Sequence, residues 1–363
     1  MGDRIGRYRY DIHGIVTINS NVVLPELQRF RAAYIVEDPT LSVVVGLRRP
    51  TVHAPRSVRS IAYSEVFRRL GFSIDIAMDD RVEIYGAPLL RYSPHVLYTN
   101  VVEPVLRWTF VRRGWALVHA AAFSFGGDAY FITGSPDTGK TTTLLRILDA
   151  GRGDDAPGFI SDDLVLLAAD GRVLTYPKLL TIGRHTATVL SDPRFSRRER
   201  LMLRYQSRVH SRGGRSTALG MSRSRMPIAT INAVVQMLVP PPKYDVQRLV
   251  PHARLTQTSH LAGMFIIERG GEGVQLIAEH DALTTLLANG DDAYGFPPYD
   301  AIKEFLYTSG SEDLRERERE IVAGALRGVP TRFVRSPQLD WSDRIPTMTN
   351  ATIEATKGAV GVE

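Results

Sequence analysis

The chemistry with the clearest address in this sequence lies in Gly134-Ser135-Pro136-Asp137-Thr138-Gly139-Lys140-Thr141, followed by Thr142. The octet fits G-x-x-x-x-G-K-[ST], in which glycines let backbone N–H groups close around phosphates, the lysine reaches the β- and γ-phosphates and the hydroxyl binds Mg²⁺. Residues 134 to 142 are therefore the expected binding site for a nucleoside triphosphate, ATP with Mg²⁺. Lys140 would meet the transferring group and Thr141 would be a metal ligand. Downstream, Asp162 and Asp163 stand side by side in the apolar run Phe159 to Leu167. Two charges there are costly unless a metal or a reaction uses them. Neighbouring side chains of an extended chain point to opposite faces, so the pair can take different tasks only where the strand ends. One would hold Mg²⁺ while the other takes a proton from a substrate hydroxyl, the division that phosphoryl transfer requires. A solvated turn, or a pair that serves the nucleotide alone, is the competing reading.

These groups need elements to position them. Ala129 to Thr133 is an apolar, aromatic-rich run that reads as a strand entering the loop. Thr141 to Asp149 reads as a helix whose N-terminal dipole and free N–H groups would face an anion. Upstream, Ala116 to Phe125 runs into Gly126-Gly127 and then into the entering strand, which is the signature of a hairpin. That hairpin would carry His119 alongside the entering strand. A lone histidine in such a place is more often a satisfied core residue than a catalyst. Leu164 to Tyr176 reads as strand, turn and strand around Asp170-Gly171. It ends at Lys178, either a cation within reach of a phosphate or a solvated strand-end lysine.

The order of these features resembles the HPr kinase/phosphorylase family and its kinase-like relatives: a His-bearing hairpin, a glycine turn, G-x-x-x-x-G-K-[ST], a helix and then Asp-Asp. That family shares a nucleotide-binding core with phosphoenolpyruvate carboxykinases, and Thr138-Gly139-Lys140-Thr141-Thr142 is similar to the carboxykinase loop. The resemblance covers residues 119 to 178 well and the following stretch loosely. It implies that Lys140 and Thr141 serve the phosphates and Mg²⁺, that Asp162 is the catalytic base, that Asp163 is the metal aspartate and that His119 is an active-site histidine. It also implies an α/β P-loop kinase domain of carboxykinase-like topology. The chain lacks the family's second signature, the one associated with phosphorylase activity, which speaks against reverse activity and against the protein HPr as acceptor.

With 363 residues and 44% apolar composition the chain is long enough for two domains. Its 45 basic and 39 acidic residues leave it only mildly basic, so no global charge calls for nucleic acid or an anionic membrane. The absence of cysteine excludes disulfides, thiolate catalysis and Cys-bound zinc. No signal peptide opens the sequence, and the longest apolar run, Ala116 to Thr133, is interrupted by His119, Gly126-Gly127 and Asp128, so it reads as the hairpin and not as a membrane span. A cytoplasmic setting follows from this reading, with a homo-oligomer left open.

Residues 1–95 read as a strand-rich accessory or substrate-selecting domain, with strands over Tyr8 to Ile18, Leu41 to Leu47 and Phe72 to Met78, a further strand at Arg81 to Tyr85, and a short helix over Ser64 to Leu70. In Asp11-Ile12-His13-Gly14, structural duty is the better reading. A P-loop kinase domain would cover 96–310, introduced by a helical linker over 98–113. Within it, 194–225 is rich in arginine, suited either to a lid that brings a guanidinium to phosphate or to a solvated loop. Its few aromatics, Phe195 and Tyr205, give base stacking little support. Further on, Ile231 to Leu238, Gly263 to Glu268 and Val274 to Ile277 read as strands. Helices are expected at Ala282 to Ala288, capped by Asp281, at Asp300 to Tyr307 and at Glu312 to Leu326. Residues 311–363 would form that last helix and a mobile tail after Pro330.

The expected function is an ATP- and Mg²⁺-dependent kinase acting on a hydroxyl acceptor, either a small polyol or sugar or a peptide serine. The alternative is a nucleotide-binding regulator with little turnover that docks a partner through its Arg-rich loop.

Overall fold

The computed structural model describes residues 7–34, 38–46, 59–67, 70–79, 81–153, 156–191, 195–196, 199, 227–238, 240, 242–309 and 312–360. The Arg-rich stretch 194–225, expected as a lid, lies outside the described residues except for Phe195, Ser196 and Glu199. The chain is mixed α/β and divides into two compact units, Met1–Arg113 with Tyr205–Pro241 and Tyr294–Arg315, and Gly114–Arg204 with Pro242–Ala293 and Glu316–Glu363. The division falls at residue 113 and not near 95, and the first unit takes back two later segments, an interleaving that a linear reading does not reveal.

The first unit holds a six-stranded mixed sheet made of β1 (Tyr8–Ile12), β2 (Val16–Ser20), β3 (Leu41–Val45), β4 (Ser60–Phe67), β5 (Leu70–Met78) and β6 (Val82–Gly86), in the order β1-β2-β3-β6-β5-β4. The β1–β2 turn is closed by Asp11, whose Oδ1 accepts from Gly14 N at 2.6 Å, a structural duty. Ser64 to Leu70, expected as a helix, instead belongs mostly to β4, which pairs antiparallel with β5 from Ser60 opposite Ala77 to Phe67 opposite Leu70. Conversely Ile231 to Leu238, expected as a strand, lies in the helix Ile228–Leu238. Its β-branched composition favours a strand, but Ile228, Ala229 and Ala233 fall on one buried helical face, and tertiary packing overrides the local preference.

The second unit carries the motif. Its ten-stranded sheet is built from β7 (Trp115–Val118), β8 (Ala121–Phe125), β9 (Asp128–Thr133), β10 (Gly158–Ser161), β11 (Val165–Ala168), β12 (Arg172–Leu174), β13 (Arg254–Leu255), β14 (Thr258–Arg269), β15 (Gly273–Leu276) and a C-terminal strand, Thr331–Ser336. The path runs β13-β10-β8-β9-β14-β12-β11-β7. The expected hairpin forms, with β8 and β9 joined through Gly126 and Gly127. So does the turn at Asp170-Gly171 between β11 and β12. β9, β14 and Thr331–Ser336 are parallel neighbours, so the phosphate-loop sequence leaves β9 at the carboxyl end of a parallel trio. That is where α/β sheets place ligand loops.

Lys140–Ala150 is a helix that buries Leu144, Leu145, Ile147 and Leu148 in a core shared with Phe123, Tyr130, Phe159, Phe265, Trp341 and Ile345. The segment after Pro330, expected to be a mobile tail, instead supplies the strand Thr331–Ser336 and the helix Trp341–Val360. β15 returns onto that strand and not onto β14. The helix expected from Ala282 begins earlier, at Glu279, with Ala278 at its N-cap and no side-chain cap from Asp281. Among the described residues no helix is long and apolar enough to cross a membrane.

Candidate functional site

The loop between β9 and the helix Lys140–Ala150 adopts backbone angles that few residue types tolerate. Gly134 has φ 153° and Gly139 φ 122°, both in the region that favours glycine. A Cβ on Gly134 would stand 2.5 Å from the Ile267 carbonyl oxygen, so β14 presses directly on the loop at its first residue. Asp137 also has positive φ, 59°, uncommon for a residue with a side chain. Under the far end of the loop lies the Trp341 ring, 3.5 Å from where a Gly139 Cβ would be. Trp341 is itself fixed by donating from Nε1 to Val334 O at 3.2 Å.

Lys140 opens the helix and folds over the loop, donating from Nζ to Gly134 O at 2.8 Å and to Ser135 O at 3.3 Å. Its charge therefore lies over the loop that the motif assigns to phosphates. Thr142, one turn position on, shares a 2.8 Å hydroxyl contact with Thr186. Ser135, Pro136 and Asp137 form the exposed tip, whereas Thr138 is buried and donates its hydroxyl to Ser135 O.

Asp162 and Asp163 follow directly on β10, at a strand end, the condition under which adjacent carboxylates can diverge in role. They do diverge. Thr141 Oγ1 donates to Asp162 Oδ2 at 3.1 Å. Asp162 Oδ1 is closed off from solvent and has no hydrogen-bond partner among the described residues. Burial pushes the Asp162 carboxyl up to about 7, and the adjacent Asp163 charge adds to this against partial relief from Thr141, Lys178 and Lys140. Asp163 meets a different environment. Burial opposes its charge, but Lys178 and His119, with help from Lys140, hold it below the ordinary carboxylate range. Its side chain is 46% exposed, which leaves the cations and not burial in control. Lys178 Nζ donates to Asp163 Oδ2 at 2.6 Å, and His119 Nδ1 lies 3.5 Å from Asp163 Oδ1.

His119 sits in the break between β7 and β8, outside the hairpin strands that were expected to carry it. Thr133, the last residue of β9, donates its hydroxyl to His119 O at 3.1 Å and accepts from Asn289 Nδ2 at 3.0 Å. The histidine, the entry to the loop and the helix Glu279–Asp292 are thereby tied together. All the residues singled out from the sequence, namely 134–142, His119, Asp162, Asp163 and Lys178, thus lie in one unit. Their pairing differs from expectation in one respect: Thr141 contacts Asp162, while Asp163 is held by Lys178 and His119.

Three contributors escape sequence reasoning. Asn289 and Trp341 arrive from far along the chain, with nothing local to mark them. Arg269, at the end of β14, donates from Nε to Thr138 O at 3.1 Å and from Nη2 to Asp137 O at 2.9 Å. Its one local signal is its place ahead of Gly270-Gly271.

The donor set suits Mg²⁺, a hard cation that takes one or two carboxylates and leaves its remaining positions to water and phosphate. Among the described residues no group of three or more His, Cys, Asp or Glu side chains forms a self-sufficient metal cage. A hydroxyl and one or two carboxylates beside a bound polyphosphate would need no such cage. Compared with known families the chain matches no family model, and it matches no curated protein significantly.

Proposed function

We propose that this chain is an ATP- and Mg²⁺-dependent kinase that transfers the γ-phosphoryl group to a hydroxyl, with a nucleotide-binding core like that of HPr kinases and phosphoenolpyruvate carboxykinases. The observation that carries the reading is the divergence of Asp162 and Asp163. One carboxylate has a sequestered oxygen with no partner among the described residues and a proton affinity raised to about 7, and the other is kept ionised by Lys178 and His119. Neighbouring acids driven apart in this way take the separate duties of base and charge holder.

In this mechanism the loop amides of residues 134–140 receive the triphosphate and Lys140 exchanges its contacts with Gly134 and Ser135 for phosphate oxygens. Thr141 and Asp163 would hold Mg²⁺, which when bound neutralises charge on the β- and γ-phosphates. Asp162 Oδ1 accepts the acceptor's hydroxyl proton, a transfer well matched to a group poised near neutral pH. Thr141 donates to the other oxygen of Asp162 and fixes the direction in which Oδ1 faces. Lys178, with the His119 imidazole beside it, keeps Asp163 ionised, and the Lys178 ammonium would favour the charge that develops on the transferring phosphoryl group. Thr133 and Asn289 hold the His119 backbone in register with the loop.

The test is to incubate the protein with ATP, Mg²⁺ and pools of small polyols, sugars and serine peptides, and to look by mass spectrometry for a phosphate-sized gain. The reading expects an acceptor whose gain disappears in Lys140→Ala and Asp162→Asn. Tight nucleotide binding with no acceptor-dependent turnover in any pool would replace the kinase by a nucleotide-binding regulator.

A further inference from the structure

β14 runs parallel to β9, with Ile266 paired to Thr133, the residue before the loop. Arg269 stands three positions beyond that pair, which brings its side chain level with the loop tip. Its guanidinium reaches across to two consecutive carbonyl oxygens, Asp137 O and Thr138 O, at 2.9 and 3.1 Å. A peptide unit is planar, and its C=O and N–H point in opposite directions. A cation that draws both carbonyls to one side therefore turns the N–H groups of Thr138 and Gly139 to the other. The Thr138 N–H is then used by Ser135 O at 3.3 Å, which closes the turn. The first of the two anchored carbonyls belongs to Asp137, whose φ of 59° costs a residue with a Cβ free energy that something nearby must offset.

We propose that Arg269 is a positioning residue that holds the phosphate loop open for a nucleotide. It acts by fixing the 137–138 and 138–139 peptide planes, without touching the transferring phosphate. The proposal rests on the nucleotide-binding reading of the loop, but it also makes a claim about the ligand-free chain. Arg269 is exposed, so its replacement leaves no buried gap. The fork geometry matters because one planar guanidinium spans both oxygens, which a lysine ammonium on a flexible stem cannot copy.

Three variants of the full-length chain test it: Arg269→Gln, Arg269→Lys and the double variant Arg269→Gln/Asp137→Gly. Affinity for Mg²⁺·ATP and for Mg²⁺·ADP is measured by calorimetry. Amide exchange of the loop peptide is followed by mass spectrometry without nucleotide. Loss of two charge-assisted hydrogen bonds should weaken ATP and ADP alike by about ten- to a hundredfold in both single variants. Exchange at the loop should accelerate in the same two proteins. In the double variant glycine adopts the positive φ unaided, so most of the lost affinity and protection should return.

A weakening of ATP alone would make Arg269 a γ-phosphate contact, and full recovery in Arg269→Lys would make it a simple charge. Either result overturns the proposal, as does unchanged loop exchange in Arg269→Gln. If the wild-type chain binds no nucleotide yet Arg269→Gln speeds loop exchange and Asp137→Gly reverses it, the brace stands and the kinase reading falls.

Discussion

Replacing Asp162 by asparagine should stabilise the metal-free protein while abolishing phosphoryl transfer. Ionising Asp162 inside the fold costs the gap between about 7 and its ordinary value of 3.8, which at ~1.36 kcal/mol per pH unit is about 4 kcal/mol at alkaline pH. Asparagine keeps an oxygen to accept from Thr141, so the 3.1 Å hydrogen bond survives. It also sets an amide N–H₂ where Oδ1 now has no partner among the described residues, and an unmet donor there costs about 1–3 kcal/mol. The expected net gain at pH 8 in EDTA is therefore about 1–3 kcal/mol. The folded chain keeps the Asp162 proton to a higher pH than the unfolded chain, so this residue erodes wild-type stability as pH rises from about 4 to about 7 and by a constant amount above. The advantage of Asp162→Asn should thus shrink by about 2–3 kcal/mol between pH 8 and pH 5. Urea unfolding followed by tryptophan fluorescence, with Trp115 and Trp341 reporting from this unit, measures both quantities. An asparagine variant less stable than wild type at pH 8, or a difference that ignores pH, would refute the claim that Asp162 is held as a strained base.

The two aspartates should separate kinetically. Asp163→Asn is expected to raise the Mg²⁺ concentration needed for half-maximal turnover by about tenfold or more, whereas Asp162→Asn should lose kcat at saturating Mg²⁺, and the reverse pattern would exchange their roles. Lys178→Met removes a cation that lowers both carboxyls. The acidic limb of its pH–rate profile should move to higher pH, because the base then holds its proton longer, and an unmoved limb would show Lys178 to be remote from the chemistry. Gly134→Ala puts a methyl 2.5 Å from Ile267 O at a φ of 153°; it should cost about 2 kcal/mol or more in stability and abolish nucleotide binding. A well-folded, nucleotide-binding Gly134→Ala protein would mean that the loop does not press on β14.

What the sequence disclosed follows physical range. The strand-loop-helix at residues 128–150, the Gly126-Gly127 hairpin and the Asp170-Gly171 turn are set by residues adjacent in the chain, and each forms where its local chemistry places it. The paired aspartates were legible because two charges in an apolar run demand an explanation. Elements settled by distant partners were not. Ile228–Leu238 carries β-branched residues yet packs as a helix. Thr331–Ser336 and Trp341–Val360 gain order from β14, β15 and the core under the loop, none of which is near them in sequence. The same limit hid Arg269 and Asn289, since a lone polar residue shows its purpose only when the fold has brought its partners to it. It also hid that Thr141 contacts Asp162 and not Asp163, a choice decided by side-chain direction at the end of β10.

The most direct test of the account is a crystal structure of the chain with Mg²⁺ and a non-hydrolysable ATP analogue. The account predicts the triphosphate seated on the amides of residues 134–140, with Lys140 moved from Gly134 O onto phosphate and Asp162 Oδ1 facing the space beside the γ-phosphate. A loop left empty at saturating nucleotide, or a bound nucleotide with both aspartates turned away from it, would contradict it.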